Sequence, residues 1–147
     1  MNKPLPTVTI YTDGSCEPNP GAGGWAALLL FKGNQIPLSG AHPETTNNRM
    51  ELTAAVEAFK ALPGAHQVKI YTDSQYLKRG ITEWMPGWRA RNWKRKSGVL
   101  KNVDLWKALD AALQRHQVSW HWVKGHATSK YNNQVDRMAR EAMKRGR

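Results

Sequence analysis

Val8 and Ile10 alternate with Thr7, Thr9 and Tyr11, a period of two that predicts a strand over residues 7–13. The same alternation returns at Val68 and Ile70, and there four letters repeat: Ile10-Tyr11-Thr12-Asp13 recurs as Ile70-Tyr71-Thr72-Asp73. Gly23 to Lys32 is nearly all apolar and reads as a buried second strand. Gly33-Asn34 reads as a hairpin turn, and Gln35 to Gly40 as a shorter third strand. From Thr45-Thr46-Asn47-Asn48 the period changes to that of a helix, with Leu52, Ala55, Val56, Phe59 and Leu62 on one face and Pro63-Gly64 as the stop. A crossover helix between the two echoing strands is what parallel pairing requires. Both aspartates should then arrive at the C-terminal ends of neighbouring parallel strands, where open α/β sheets carry their sites.

Ser74 predicts a helix cap, with the helix running to about Gly80. Helical spacing resumes at Leu105, Ala108, Leu109, Ala112 and Leu113. Val118 to Val123 reads as a fifth strand with Val118, Trp120 and Trp122 on one side. A polar loop over 124–130 leads to a last helix carrying Val135, Met138, Ala139, Ala142 and Met143, with Asp136 in its first turn and a frayed basic tail over 144–147. The expected fold is α/β: a five-stranded mixed sheet, three strands antiparallel and two parallel, flanked by helices. Residues 1–147 are expected to form a single domain.

Composition narrows the class. Hydrophobic residues make up 40 %, too many for a disordered chain. The longest apolar run, Trp25 to Phe31, is too short to span a bilayer, and the N-terminal residues lack a signal-peptide pattern. One cysteine, Cys16, leaves no internal disulfide and no cysteine-built zinc site. A cytoplasmic, monomeric protein is expected, with no membrane partner. The net charge of +11 points to a polyanion. It is concentrated in residues 78–101, where eight Lys and Arg face one acid, Glu83. Trp84, Trp88 and Trp93 interleave with Arg89, Arg91, Lys94, Arg95 and Lys96. Such a segment suits phosphate contacts and stacking on sugars or bases. Packing within the segment is the ordinary alternative for its tryptophans.

The acids at element ends are Asp13, Glu51, Asp73 and Asp136. Singly, each has an everyday explanation: a turn cap for Asp13 and Asp73, a first-turn helix acid for Glu51, an i,i+4 pair with Arg140 for Asp136. Two of them on paired strands cannot both stay ionised at close range without a cation or a raised pKa. Four together suit hard cations such as Mg²⁺, which takes oxygen ligands and keeps room for phosphate oxygens. His42, His66, His116 and His121 read as polar surface.

Six segments, in order, resemble one family. Thr12-Asp13-Gly14-Ser15, Asn19-Pro20-Gly21, Asn47-Asn48-Arg49-Met50-Glu51-Leu52, Thr72-Asp73-Ser74-Gln75, Lys101-Asn102-Val103-Asp104-Leu105-Trp106 and Trp122-Val123-Lys124-Gly125-His126 are similar to the signature segments of bacterial type 1 ribonuclease H. The resemblance implies an endonuclease that hydrolyses the RNA strand of RNA–DNA hybrids, without sequence preference, using two Mg²⁺ ions with Mn²⁺ as a substitute. It implies that Asp13, Glu51, Asp73 and Asp136 are catalytic metal ligands, and that His126 assists proton transfer or product release. It further implies that Asn19, Asn47, Asn48 and Gln75 contact the hybrid's minor groove, that Thr46 lies at a DNA phosphate pocket, and that residues 78–101 form a basic protrusion gripping DNA. Amides that both donate and accept suit a 2′-hydroxyl, the group that tells RNA from DNA. Two departures stand out. Many relatives carry Glu-Arg where Asn133-Gln134 stand, and a basic residue where Glu44 stands.

Overall fold

The computed structural model describes residues 4–94, 100–123 and 130–146. Strands β1 (Thr7–Cys16), β2 (Gly21–Phe31) and β3 (Asn34–Thr45) precede helix α1 (Asn47–Lys60) and strand β4 (Gln67–Thr72). Helix α2 (Gln75–Arg79) continues through a π-helical turn (Gly80–Trp84) into α3 (Met85–Ala90). Helix α4 (Val103–Gln114), strand β5 (Gln117–Trp122) and helix α5 (Lys130–Arg145) complete the order. The sheet order is β3-β2-β1-β4-β5. The β1–β2 and β2–β3 pairs are antiparallel, and β1–β4 and β4–β5 are parallel, which matches the expected mixed sheet.

The two faces of the sheet are covered differently. Val8, Ile10, Ala27, Leu29, Val68 and Ile70 pack against Leu52, Phe59, Leu77, Met85, Trp106 and Leu109, which come from α1 to α4. On the opposite face Ala26 and Leu28 pack against Val135 and Ala139 of α5. Burying such side chains contributes about 1.5–3 kcal/mol each, so this two-sided core holds the sheet rigid beneath the loops.

Several boundaries differ from the sequence reading. Strand β1 runs on to Cys16, so Asp13 lies inside it rather than at its end. Parallel pairing with β4 stops at Tyr11↔Tyr71, while the hairpin with β2 continues through Cys16↔Gly23. Strand β3 spans 12 residues, not the short run expected over 35–40. It is an edge strand, so polar residues and prolines are tolerated on its open side. The hairpin turns at Lys32-Gly33, with φ of 50° and 80°, because a two-residue turn of this hand needs positive φ at both positions. The helix capped by Ser74 does not end at Gly80. It continues there as a π-helical turn, and Trp106 fills the space where a Gly80 Cβ would sit. Helix α5 starts at Lys130, which moves Asp136 beyond the first turn, and it stays helical to Arg145. Finally, His66 and His116 are buried, not surface. They join the starts of β4 and β5, where the His66 N–H donates to His116 Nδ1 at 3.1 Å and the His116 ring stacks on Phe59.

Candidate active site

Asp13 sits on β1 two residues past its last parallel pair, and Asp73 directly follows β4. Glu51 reaches them from α1. What brings α1 so close is Gly14. A Cβ there would lie 2.5 Å from the Glu51 nitrogen and 2.7 Å from the Met50 carbonyl carbon, so only glycine lets the helix backbone rest on the strand. The Gly14 N–H donates to Asp13 Oδ1 at 2.9 Å and fixes that carboxylate. The result is three carboxylates whose ligand atoms lie within 4.8 Å of one another: Asp13, Glu51 and Asp73.

Burial and crowding set the electrostatics. Asp13 and Glu51 are only 8 % and 5 % exposed. Burial, then the neighbouring charges of Asp73 and Asp136, pushes the Asp13 pKa up to about 8. Burial and the charges of Asp13 and Asp73 hold Glu51 well above the usual carboxylate range. Glu51 Oε2 is buried without a hydrogen-bond partner among the described residues. A buried, unsatisfied carboxylate oxygen beside two more carboxylates is costly unless a cation meets it. An all-oxygen donor set of this charge fits a hard divalent cation.

Asp136 stands apart from the trio. It is within hydrogen-bonding reach of Asp13, but its Oδ2 is also paired with Arg140 Nη2 at 2.9 Å. The i,i+4 pair foreseen from spacing therefore exists alongside the approach to Asp13.

The expected substrate contacts cluster around one end of α1. Asn19 Oδ1 accepts from the Asn47 N–H at 3.1 Å. Thr46 caps α1, its hydroxyl accepting from the Arg49 N–H at 3.2 Å. Asn19, Asn48 and Gln75 are exposed, and Asn47 is half-buried. Trp84, Trp88 and Trp93 are half-buried against the main core, with Trp84–Trp88 centroids 5.8 Å apart and Trp88–Trp106 centroids 5.4 Å apart. Arg91 and Lys94 are exposed. Arg89 is held by Asp110 of α4, Nε to Oδ1 at 2.8 Å. A pocket of about 310 Å³ lined by Asn48, Tyr76, Trp84, Trp88, Leu100, Lys101 and Asn102 lies between α1 and this segment. Arg95, Lys96 and His126 lie outside the described residues.

One feature was not visible in the motifs. Arg49 donates to both carboxylate oxygens of Asp104, at 3.1 and 2.8 Å, and to Asn102 Oδ1 at 3.1 Å. Asn102 and Trp106 both donate to the Tyr76 hydroxyl, at 2.9 and 3.1 Å. This network ties the start of α1 to α2 and α4. Arg49, Asn102, Asp104 and Trp106 lie in two of the signature segments, but no spacing rule joins residues 49, 76 and 104, so their contact was not readable from the sequence.

A family model for RNase H matches residues 6–144. The chain belongs to the RNase H family, on its bacterial type 1 branch. It is 54 % identical over 138 residues to a ribonuclease H of Paramagnetospirillum magneticum, covering 93 % of this chain and 90 % of that one. It is 53 % identical over 133 residues to a ribonuclease HI of Pseudomonas aeruginosa, covering 90 % of each. Among solved structures it resembles LC9-RNase H1, described as a type 1 RNase H with the type 2 active-site motif. That match has 33 % identity and a TM-score of 0.88, covering all of this chain and 76 % of the other. Within an RNase H fold, the three gathered acids occupy the carboxyl end of the paired strands. No helix among the described residues is long and apolar enough to cross a membrane.

Proposed function

We propose that this chain is a divalent-metal-dependent endoribonuclease that hydrolyses the RNA strand of RNA–DNA hybrids without sequence preference. The observation that carries the proposal is the trio Asp13, Glu51 and Asp73, gathered within 4.8 Å, with one Glu51 oxygen buried and unpartnered. Asp13, Glu51, Asp73 and Asp136 would hold two divalent ions, Mg²⁺ with Mn²⁺ as a substitute. Bound there, such ions offset phosphate charge, lower the pKa of water and stabilise a leaving oxygen.

The chain's own residues do the rest. Asp13 lies between Glu51, Asp73 and Asp136 and is the acid shared by both halves of the site. The Gly14 N–H holds it in one orientation. Asn19, which is exposed, reads the minor groove and the 2′-hydroxyls of RNA together with Asn47, Asn48 and Gln75. Thr46 serves the DNA phosphate pocket. Arg89, Arg91, Lys94, Arg95 and Lys96, with Trp84, Trp88 and Trp93, form the grip on the DNA strand, a sequence-independent contact. His126 carries a proton to or from the reacting centre, a role that suits an imidazole near neutral pH. The protein works as a monomer in the cytoplasm.

Matched RNA–DNA, DNA–DNA and RNA–RNA duplexes, each incubated with and without Mg²⁺, test this. Cleavage of only the RNA strand of the hybrid, only with metal, and leaving 3′-hydroxyl ends, is the expected result. Hybrid binding without metal-dependent products would overturn the catalytic assignment. Cutting of DNA duplexes in preference to hybrids would overturn the substrate assignment.

A further inference from the structure

Asp136 differs from the other three acids in how it is held. Asp13, Glu51 and Asp73 come from three separate elements and stay clustered as long as the fold stands. Asp136 shares α5 with its partner Arg140, one turn away, at 2.9 Å. The two side chains are about half exposed, at 50 % and 57 %. On its other side Asp136 comes within hydrogen-bonding reach of Asp13. In the metal-free chain, then, Arg140 is the cation that offsets the fourth acid. Arg137, next along the helix, is exposed and makes no ion pair among the described residues.

Resting on the metal-site reading above, we propose that Arg140 is an internal counter-ion that competes with the divalent cation for Asp136. It occupies Asp136 Oδ2, an oxygen that a divalent ion at the site would otherwise take. Arg140 is thus a positioning residue that lowers the affinity of the site for metal. The cluster of three acids binds without this competition, and recruitment of Asp136 requires the ion pair to open. The ordinary alternative is that the pair only stabilises α5, as i,i+4 pairs do. The two readings differ in their dependence on metal.

The test titrates Mn²⁺ into substrate-free protein by electron paramagnetic resonance, and melts each protein with and without Mg²⁺. The set is wild type, Arg140→Gln, Arg140→Lys, Arg137→Gln, Asp136→Asn and the double variant Arg140→Gln/Asp136→Asn. Arg140→Gln should bind Mn²⁺ roughly three- to fivefold tighter, the most that an exposed ion pair can hold back. Arg140→Lys, which can re-form the pair, should stay near wild type. Arg137→Gln, which removes the same charge without the pair, should gain less than half as much. In the Asp136→Asn background, Arg140→Gln should change nothing. Arg140→Gln should also melt lower than wild type without metal, and Mg²⁺ should erase that deficit. An equal gain from Arg137→Gln, or a melting deficit that Mg²⁺ leaves intact, overturns the proposal. Absence of Mn²⁺ binding in the wild type overturns the metal-site reading and this proposal with it.

Discussion

Asp13 carries the sharpest residue-scale consequence. Its pKa is raised from about 3.8 unfolded to about 8 in the metal-free fold. Between those values the native state binds more protons than the unfolded chain, so metal-free stability falls as pH rises from about 4 to 8. Asp13→Asn removes this buried titrating carboxyl and its share of that slope, Glu51 contributing the rest. It should raise the metal-free melting temperature near pH 7 by roughly 3–8 °C, about 1–2 kcal/mol for a domain of this size. The same substitution should lower kcat at least 10³-fold in Mg²⁺ while hybrid binding survives. Thermal melts from pH 5 to 8, paired with single-turnover cleavage, check both. Full activity in the variant would defeat the mechanism. His116 gives the opposite sign. Burial, with Arg115 and His66 nearby, lowers its pKa. Its Nδ1 accepts the His66 N–H and so must stay unprotonated. The stability it contributes is present above about pH 6.5 and is lost as pH falls through the depressed folded value. His116→Asn, which keeps an acceptor but does not titrate, should flatten melting temperature against pH between 6.5 and 5. Asp13 and Asp73 were legible because a four-residue echo carries both. His116 was not, because an isolated histidine has no pattern and its burial depends on Phe59, far away in sequence.

At the scale of elements, the π-helical turn and the Tyr76 network show what periodicity misses. Helical spacing marked where α1 and α4 lie, but not that α2 would continue into α3. At the join Gly80 packs directly against Trp106, a contact between residues 26 apart. Gly80→Ala forces a methyl group into the buried indole and should cost about 1–3 kcal/mol, the usual price of overpacking. The network beside it holds α1 against α2 and α4 through Arg49, Asp104, Asn102 and Tyr76. Arg49→Met leaves Asn102 Oδ1 and the Asp104 carboxylate without the Arg49 donor. It should raise KM for a hybrid several-fold more than it lowers kcat, because the start of α1 carries Asn47 and Asn48. Steady-state kinetics on one hybrid at fixed Mg²⁺ decides this, and an unchanged KM would restrict Arg49 to stability.

For the molecule as a whole, apolar alternation marks the strands, while the hairpin turn and the crossover helix give the sheet its mixed direction. The net charge of +11 implied a polyanion, but charge counting treats all cations alike. The fold separates them. Arg89 is occupied by Asp110 of α4, whereas Arg91 and Lys94 are exposed at the end of the same helical run. Cations free to meet phosphates release counter-ions on binding, and each such contact adds about 0.7–0.9 to the slope of log affinity against log salt. A cation already paired inside the protein adds less and contributes to stability instead. Arg91→Gln with Lys94→Gln should therefore flatten the salt slope of hybrid binding by roughly 1–2 and raise KM with little change in kcat. Arg89→Gln should leave the slope nearly unchanged but lower the melting temperature, because Asp110 loses its ion pair. Binding titrations from 50 to 300 mM salt, with melts of the same proteins, separate the two roles. If Arg89→Gln flattens the slope as much as the Arg91 and Lys94 pair does, the Asp110 contact yields to the nucleic acid and the division between gripping and bracing cations is wrong.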